Sequence, residues 1–179
     1  MTQAEMLQCA QKEGFVAVAI ADTKDIVFDP SFRPYCAENL CGQYGANYSC
    51  PPDCGSPEEM KQRILARKKA LVLQSCRPLA DYNDTAAIKQ AKKEHNAATL
   101  RLVKQLRKAG YDGIIVGASN CALCDPCKQI SGEPCAFPDL RYSCMSAYCI
   151  FVKKLAETCK MDYTWGDGNL RLFGMYVFE

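Results

Sequence analysis

Apolar residues recur along this chain in two rhythms, and the switches between them mark out its elements. Residues 4–13 are polar and amphipathic and predict a helix. The run from Phe15 to Ala21 is short and apolar, which suits a buried strand. Residues 29–55, rich in Pro, Gly, Asn and Cys, read as irregular loop. Ser56 as N-cap, Pro57 at the first helical position and Glu59 completing a capping box then predict the start of a helix. Residues 70–74 suit a second strand, and a long helix follows over 85–108, ended by Gly110. Its inward stripe is Ala91, Ala98, Leu102 and Leu106. A third strand is expected at 112–116, a helix from Ser143 to Cys159, and a last, alternating strand over 170–178.

Strands separated by helices predict an α/β layered sandwich with a small mixed, partly parallel sheet. At 179 residues the chain fits one α/β domain spanning 1–179, with two cysteine-rich loops at 33–55 and 119–142. In open α/β sheets, sites gather at the C-terminal ends of strands. Both loops are expected near such ends, along one functional edge.

Composition narrows the function. The net charge is +2 with both signs interspersed, which lacks the basic footprint of a nucleic-acid binder. No apolar run approaches the ~20 residues of a membrane span, and the polar opening residues have no secretory character. These features predict a cytoplasmic protein. Its thirteen cysteines would then stay reduced, so they point to metal or redox chemistry rather than disulfides.

Four of them, Cys121, Cys124, Cys127 and Cys135, form a C-x2-C-x2-C-x7-C array. Two-residue gaps let consecutive thiolates turn inward round one small centre, and the spacing is like the opening of a bacterial ferredoxin ligand run. The array predicts a [4Fe–4S] cluster, with structural zinc as the alternative. Gly117 and Gly132 would let the backbone wrap closely. A second array, Cys36, Cys41, Cys50 and Cys54, is spaced C-x4-C-x8-C-x3-C and is less regular. Cys54 lies just before the helix at Ser56, where the dipole would favour a thiolate, as a fourth ligand or a free reactive thiol.

The segments CGQYGANYSCPPDCGSPEEM and CALCDPCKQISGEPCAFPDLRYSCMSAYCIFV resemble a prokaryotic family of predicted metal-binding proteins, the domain of unknown function 2284. The resemblance covers roughly residues 33–178. It implies metal binding through Cys36, Cys41 and Cys50, then through Cys121, Cys124, Cys127 and Cys135. The chain departs from the family pattern over Cys144 to Cys149, where Ser146 stands in place of an acidic residue.

Of the remaining cysteines, Cys9 and Cys159 read as core residues on helices. Cys76 ends the second strand beside Arg77, within reach of a site, and Cys144 and Cys149 read as packing residues of the helix at 143–159, with a place facing the second array as the alternative. The one histidine, His95, is expected on the solvated side of the long helix. The C-x3-C-x2-C run of radical enzymes, a P-loop and the H-x-E of zinc deaminases are all missing. The chain therefore reads as an iron–sulfur protein with one or two [4Fe–4S] clusters that exchanges electrons with a redox partner protein. A cluster-dependent enzyme with an open iron site and a zinc-stabilised structural protein are the alternatives. The basic clusters Arg67-Lys68-Lys69 and Lys89-Lys92-Lys93 read as solvated faces that could dock an acidic partner.

Overall fold

The computed structural model describes residues 1–179. It contains five α-helices and one five-stranded mixed sheet. In chain order these are α1 (Gln3–Lys12), β1 (Ala17–Asp22), α2 (Arg33–Ala37), α3 (Pro57–Leu65), β2 (Lys69–Pro78), α4 (Thr85–Lys108), β3 (Gly113–Gly117), β4 (Ser143–Cys144), α5 (Val152–Thr158) and β5 (Asn169–Phe178). The strand order is β1-β2-β5-β3-β4. Every pairing is antiparallel except β3 with β4, so the parallel part of this layered sandwich is two residue pairs long.

The last strand of the chain occupies the centre of the sheet, and its sequence explains why. Phe173, Met175 and Val177 face one apolar cluster, while Tyr176 and Phe178 face the other. A strand buried on both faces needs apolar residues at both parities. The first cluster packs Met60 and Ile64 of α3 and Leu155 and Ala156 of α5 against Ala70 and Val72 of β2. The second packs Met6 and Ala10 of α1 and Leu102 and Leu106 of α4 against Leu71 and Leu73. Each fully buried Leu or Met of this kind stabilises the fold by about 1.5–3 kcal/mol. No helix is long and apolar enough to cross a membrane.

The capping box at Ser56 forms as read: Ser56 N–H donates to Glu59 Oε2 at 2.8 Å and Glu59 N–H to Ser56 Oγ at 3.2 Å. Two expectations are corrected. The helix read over Ser143–Cys159 is shortened to α5, because residues 143–144 pair with β3 and Cys149 takes a left-handed φ of 56° that ends any helical run. His95 is buried, with 1% of its surface exposed. It falls on the very stripe that Ala91, Ala98 and Leu102 define, and the sheet leaves room for it. A side chain at Gly174 would stand 2.6 Å from His95 Nε2.

Candidate metal centre

The first cysteine loop is anchored at its entry by a short antiparallel stitch. Asp29 N–H donates to Cys149 O at 2.8 Å and Phe151 N–H to Val27 O at 2.9 Å, on either side of the Phe28–Ile150 bridge. This stitch brings the β4–α5 connection alongside the loop. Arg33, one turn before Cys36 on α2, ties the pieces together. Its Nη1 donates to Gly55 O and its Nη2 to Ala147 O, each at 2.7 Å, while its buried Nε has no partner.

Cys144 consequently comes near enough to Cys36, Cys50 and Cys54 to act on each of them electrostatically. Burial pushes the Cys50 thiol up to about 12; the hydroxyl of Ser49, 3.8 Å from its sulfur, opposes the shift, and Cys144, Cys41 and Cys54 add to it. Burial likewise raises Cys54 to about 11 against the Arg33 and Arg63 charges, with Cys144 and Cys36 as like-charged neighbours. Burial at Cys54 therefore works against the thiolate that the helix end at Ser56 would favour. Cys36 is raised by burial and then by Cys144, and Arg33 works against both. At Cys144 burial also raises the thiol. The amides of Ala147 and Ser146 counter it, the former donating to the sulfur at 3.4 Å.

The second array leaves the end of β3, where the strand fits tightly. A Cβ at Gly117 would lie 2.6 Å from the Tyr142 ring and 2.9 Å from Asn96 Oδ1, so only glycine lets the chain pass. Asn96 of α4 then accepts from Ala118 N–H at 2.9 Å and donates to Ser119 Oγ at 2.8 Å. Tyr142 accepts from Ala122 N–H at 3.2 Å. Cys121 has its thiol raised by burial, opposed by the amides of Leu123 and Tyr142 and increased by Cys135 and Cys127.

A buried polar latch joins the two loops. Asn47 and Ser49, 3% and 0% exposed, belong to the first loop. Asn47 Nδ2 donates to Cys121 O and Cys121 N–H donates to Ser49 Oγ, both at 2.9 Å. Asn47 Oδ1 in turn accepts from Ser49 N–H at 2.9 Å and from its hydroxyl at 2.8 Å. Outside the latch, Tyr48 donates to Glu133 O at 2.8 Å and Gln129 to Asp53 at 3.2 Å. Ser49 thus touches both arrays, the sulfur of Cys50 and the backbone of Cys121.

Of the residues picked from sequence, Cys50 and Cys54 are buried, Cys36 is half-buried and Cys41 is exposed, while Cys121, Cys124, Cys127 and Cys135 are all half-buried. No three Cys, His, Asp or Glu side chains stand at the spacing needed to hold one metal ion, so the sulfurs mark two neighbourhoods rather than a finished coordination sphere. The donor set fits a soft, thiophilic metal or cluster: several thiols, amide N–H groups aimed at sulfur, and the Arg33 cation to offset thiolate charge. Three participants escaped sequence reading. Cys144, expected as a packing residue of a helix, stands near the first-array thiols. Arg33 and the Asn47–Ser49 pair carry no spacing signal at all.

No curated protein and no solved structure matches this chain. A family model does, over residues 19–178, and its span takes in both loops, the latch and the whole sheet except the first two residues of β1. The chain belongs to the family described as predicted metal-binding protein (DUF2284).

Proposed function

We propose that the two loops hold two [4Fe–4S] clusters and that the protein passes electrons between them and a partner oxidoreductase. The carrying observation is the latch: Ser49 contacts the Cys50 sulfur on one side and the Cys121 amide on the other, so the arrays sit one residue apart. Clusters bound there supply one-electron chemistry. The chain's own groups do the rest. Amide N–H groups at Cys121 and Cys144 favour the more reduced, more negative state of whatever the sulfurs bind. Arg33, partly stripped of water, supplies a fixed positive charge beside Cys36 and Cys54.

A partner surface is supported by large apolar side chains exposed on both loops, Tyr35 and Leu40 on the first and Ile130 and Phe137 on the second. Such groups enrich the centres of protein interfaces. Lys89 and Lys93 are exposed and without an acidic partner, unlike Arg67, Lys68 and Lys69, which pair with Glu179 and Asp22. The first cluster therefore leaves only the lysines of α4 for an acidic partner.

A second reading, a cluster-dependent enzyme, is favoured by one feature. Cys54 lines a cavity of about 210 Å³. If Cys36, Cys41 and Cys50 bind the metal without it, the Cys54 thiol faces a space where a substrate could enter.

Anaerobic purification with iron, sulfide and zinc analysis tests the proposal. The expected protein is brown, absorbs broadly near about 400 nm and holds iron and sulfide in equal amounts. A colourless protein with stoichiometric zinc overturns both readings and leaves the structural role.

A further inference from the structure

The cavity beside Cys54 has a wall chemistry of one kind. Its polar lining is Arg63, Arg141, Tyr48, Tyr148, Ser143 and Cys54, each able to donate a hydrogen bond although Tyr48 spends its hydroxyl on Glu133 O, and no carboxylate side chain lines it. Arg63 spends one N–H on Cys54 O at 2.7 Å. Arg141 lies over the Tyr48 ring, 6.0 Å from its centroid. Neither guanidinium has an acidic partner within the 4.0 Å that the chain's ion pairs reach; Glu59 feels the Arg63 charge from farther off, so the excess charge on the space is positive but partly offset on the Arg63 side.

Tyr148 supplies an independent sign of a missing ligand. It is 4% exposed, it lines the cavity, and its hydroxyl makes no hydrogen bond within the chain. The hydroxyl is not sealed off, because the fully enclosed atoms without a partner are Arg33 Nε and His95 Nε2 alone; it opens into the cavity, where an acceptor can meet it. A larger groove of about 490 Å³ shares Arg141, Ile114 and Pro138 with the cavity, but it carries Asp112 and Asp139. Anions are thereby disfavoured in the groove and favoured in the smaller space.

We propose that this cavity binds one small oxyanion, a carboxylate or a phosphate-type group, between Arg63 and Arg141 with Tyr148 donating to it. A volume of about 210 Å³ equals the liquid share of roughly seven waters, enough for phosphate or a short organic acid and too little for a nucleotide. The binding stands on these side chains alone. Its meaning rests on the metal reading, because an anion here would touch Cys54 and the edge of the first array, the position of a substrate.

Isothermal titration of the anaerobically purified, full-length protein tests it, with sodium phosphate and sodium malonate as separate probes and metal content measured on the same sample. Saturable one-site binding of at least one probe is expected, and which one binds distinguishes the phosphate-type from the carboxylate ligand. Arg141→Gln should weaken it about tenfold or more, and Tyr148→Phe, which keeps the packed ring, should weaken it several-fold. Arg77→Gln, on the surface away from the cavity, should leave it unchanged. A wild-type protein that binds neither probe, or Arg141→Gln and Tyr148→Phe proteins that bind like wild type, would overturn the pocket. Metal-loaded protein without anion binding sinks the pocket alone. Metal-free protein that binds as expected upholds the pocket and removes the metal reading.

Discussion

In the first loop two thiols are buried, an arginine with no acidic partner stands beside them, and Cys144 reaches in from a distant part of the chain. In the second, four half-buried thiols lie within fifteen residues of one another, served by amides of their own loop and of Tyr142. The second array is local and can be read from spacing. The first is tertiary, assembled by the Phe28–Ile150 stitch and the Arg33 bridges. A tertiary site can set burial and fixed charge independently of ligand spacing, which suits a tuned or reactive centre. A local site near the surface suits exchange with a partner. The latch at Asn47 and Ser49 is what makes the two a single unit.

The largest expected effect separates the arrays by composition. Cys50→Ala should abolish the first centre and Cys121→Ala the second, each removing about half of the bound iron if both hold clusters. Iron and sulfide analysis of the two variants checks this. Should either substitution empty both sites, the arrays form one centre and the contrast drawn above fails.

The next effect concerns the scaffold under the second array. His95 precedes Asn96, which holds the chain entering that loop, and its ring is packed against Gly174 with Nδ1 2.7 Å from Ser75 Oγ. Burial, with a smaller contribution from Arg77, lowers its pKa from 6.5 to about 4. The unfolded chain therefore takes up this proton more readily than the folded one. The stability that neutral His95 contributes is complete above pH 6.5 and is lost as pH falls towards 4. At about 1.4 kcal/mol per unit the full loss is roughly 3 kcal/mol. Denaturant titrations at pH 7 and pH 5 should expose most of it, and His95→Gln should flatten the difference. An unchanged slope in that variant would assign the acid sensitivity to carboxylates elsewhere.

The parts that sequence made legible are those with a local physical cause. The Ser56–Glu59 capping box and the stripe on α4 each depend on neighbours a few residues apart, and each stands in the structure. The run from Ser143 to Cys159 misled because its composition suits a helix while two long-range constraints, pairing with β3 and the stitch to residues 27–29, claim its first half. His95 was misjudged from its charged neighbours in sequence, although the period of the helix had already put it on the buried face. Cys144 and Arg33 were not legible at all, since Arg33 meets Ala147, 114 residues away, and Cys144 acts on thiols that also lie far from it in sequence.

The smallest of these effects bears most directly on whether the arrays work as a pair. Asn47→Ala removes the donor to Cys121 O and the acceptor for both the amide and the hydroxyl of Ser49. Buried groups left unpaired in this way cost about 1–3 kcal/mol; the Ser49 amide would be one of them, whereas Cys121 O keeps the Asn120 Nδ2 donor at 3.2 Å. Thermal unfolding should show a loss of about 2 kcal/mol. The sharper readout is redox: the variant keeps every cysteine, so its metal content should match wild type, while equilibration of electrons between the two sites after rapid reduction should slow. If stability falls and the equilibration rate is unchanged, the latch is a structural clamp and the path between the arrays runs elsewhere. If the rate falls with it, Ser49 carries the coupling, because it is the residue that meets both the Cys50 sulfur and the Cys121 amide.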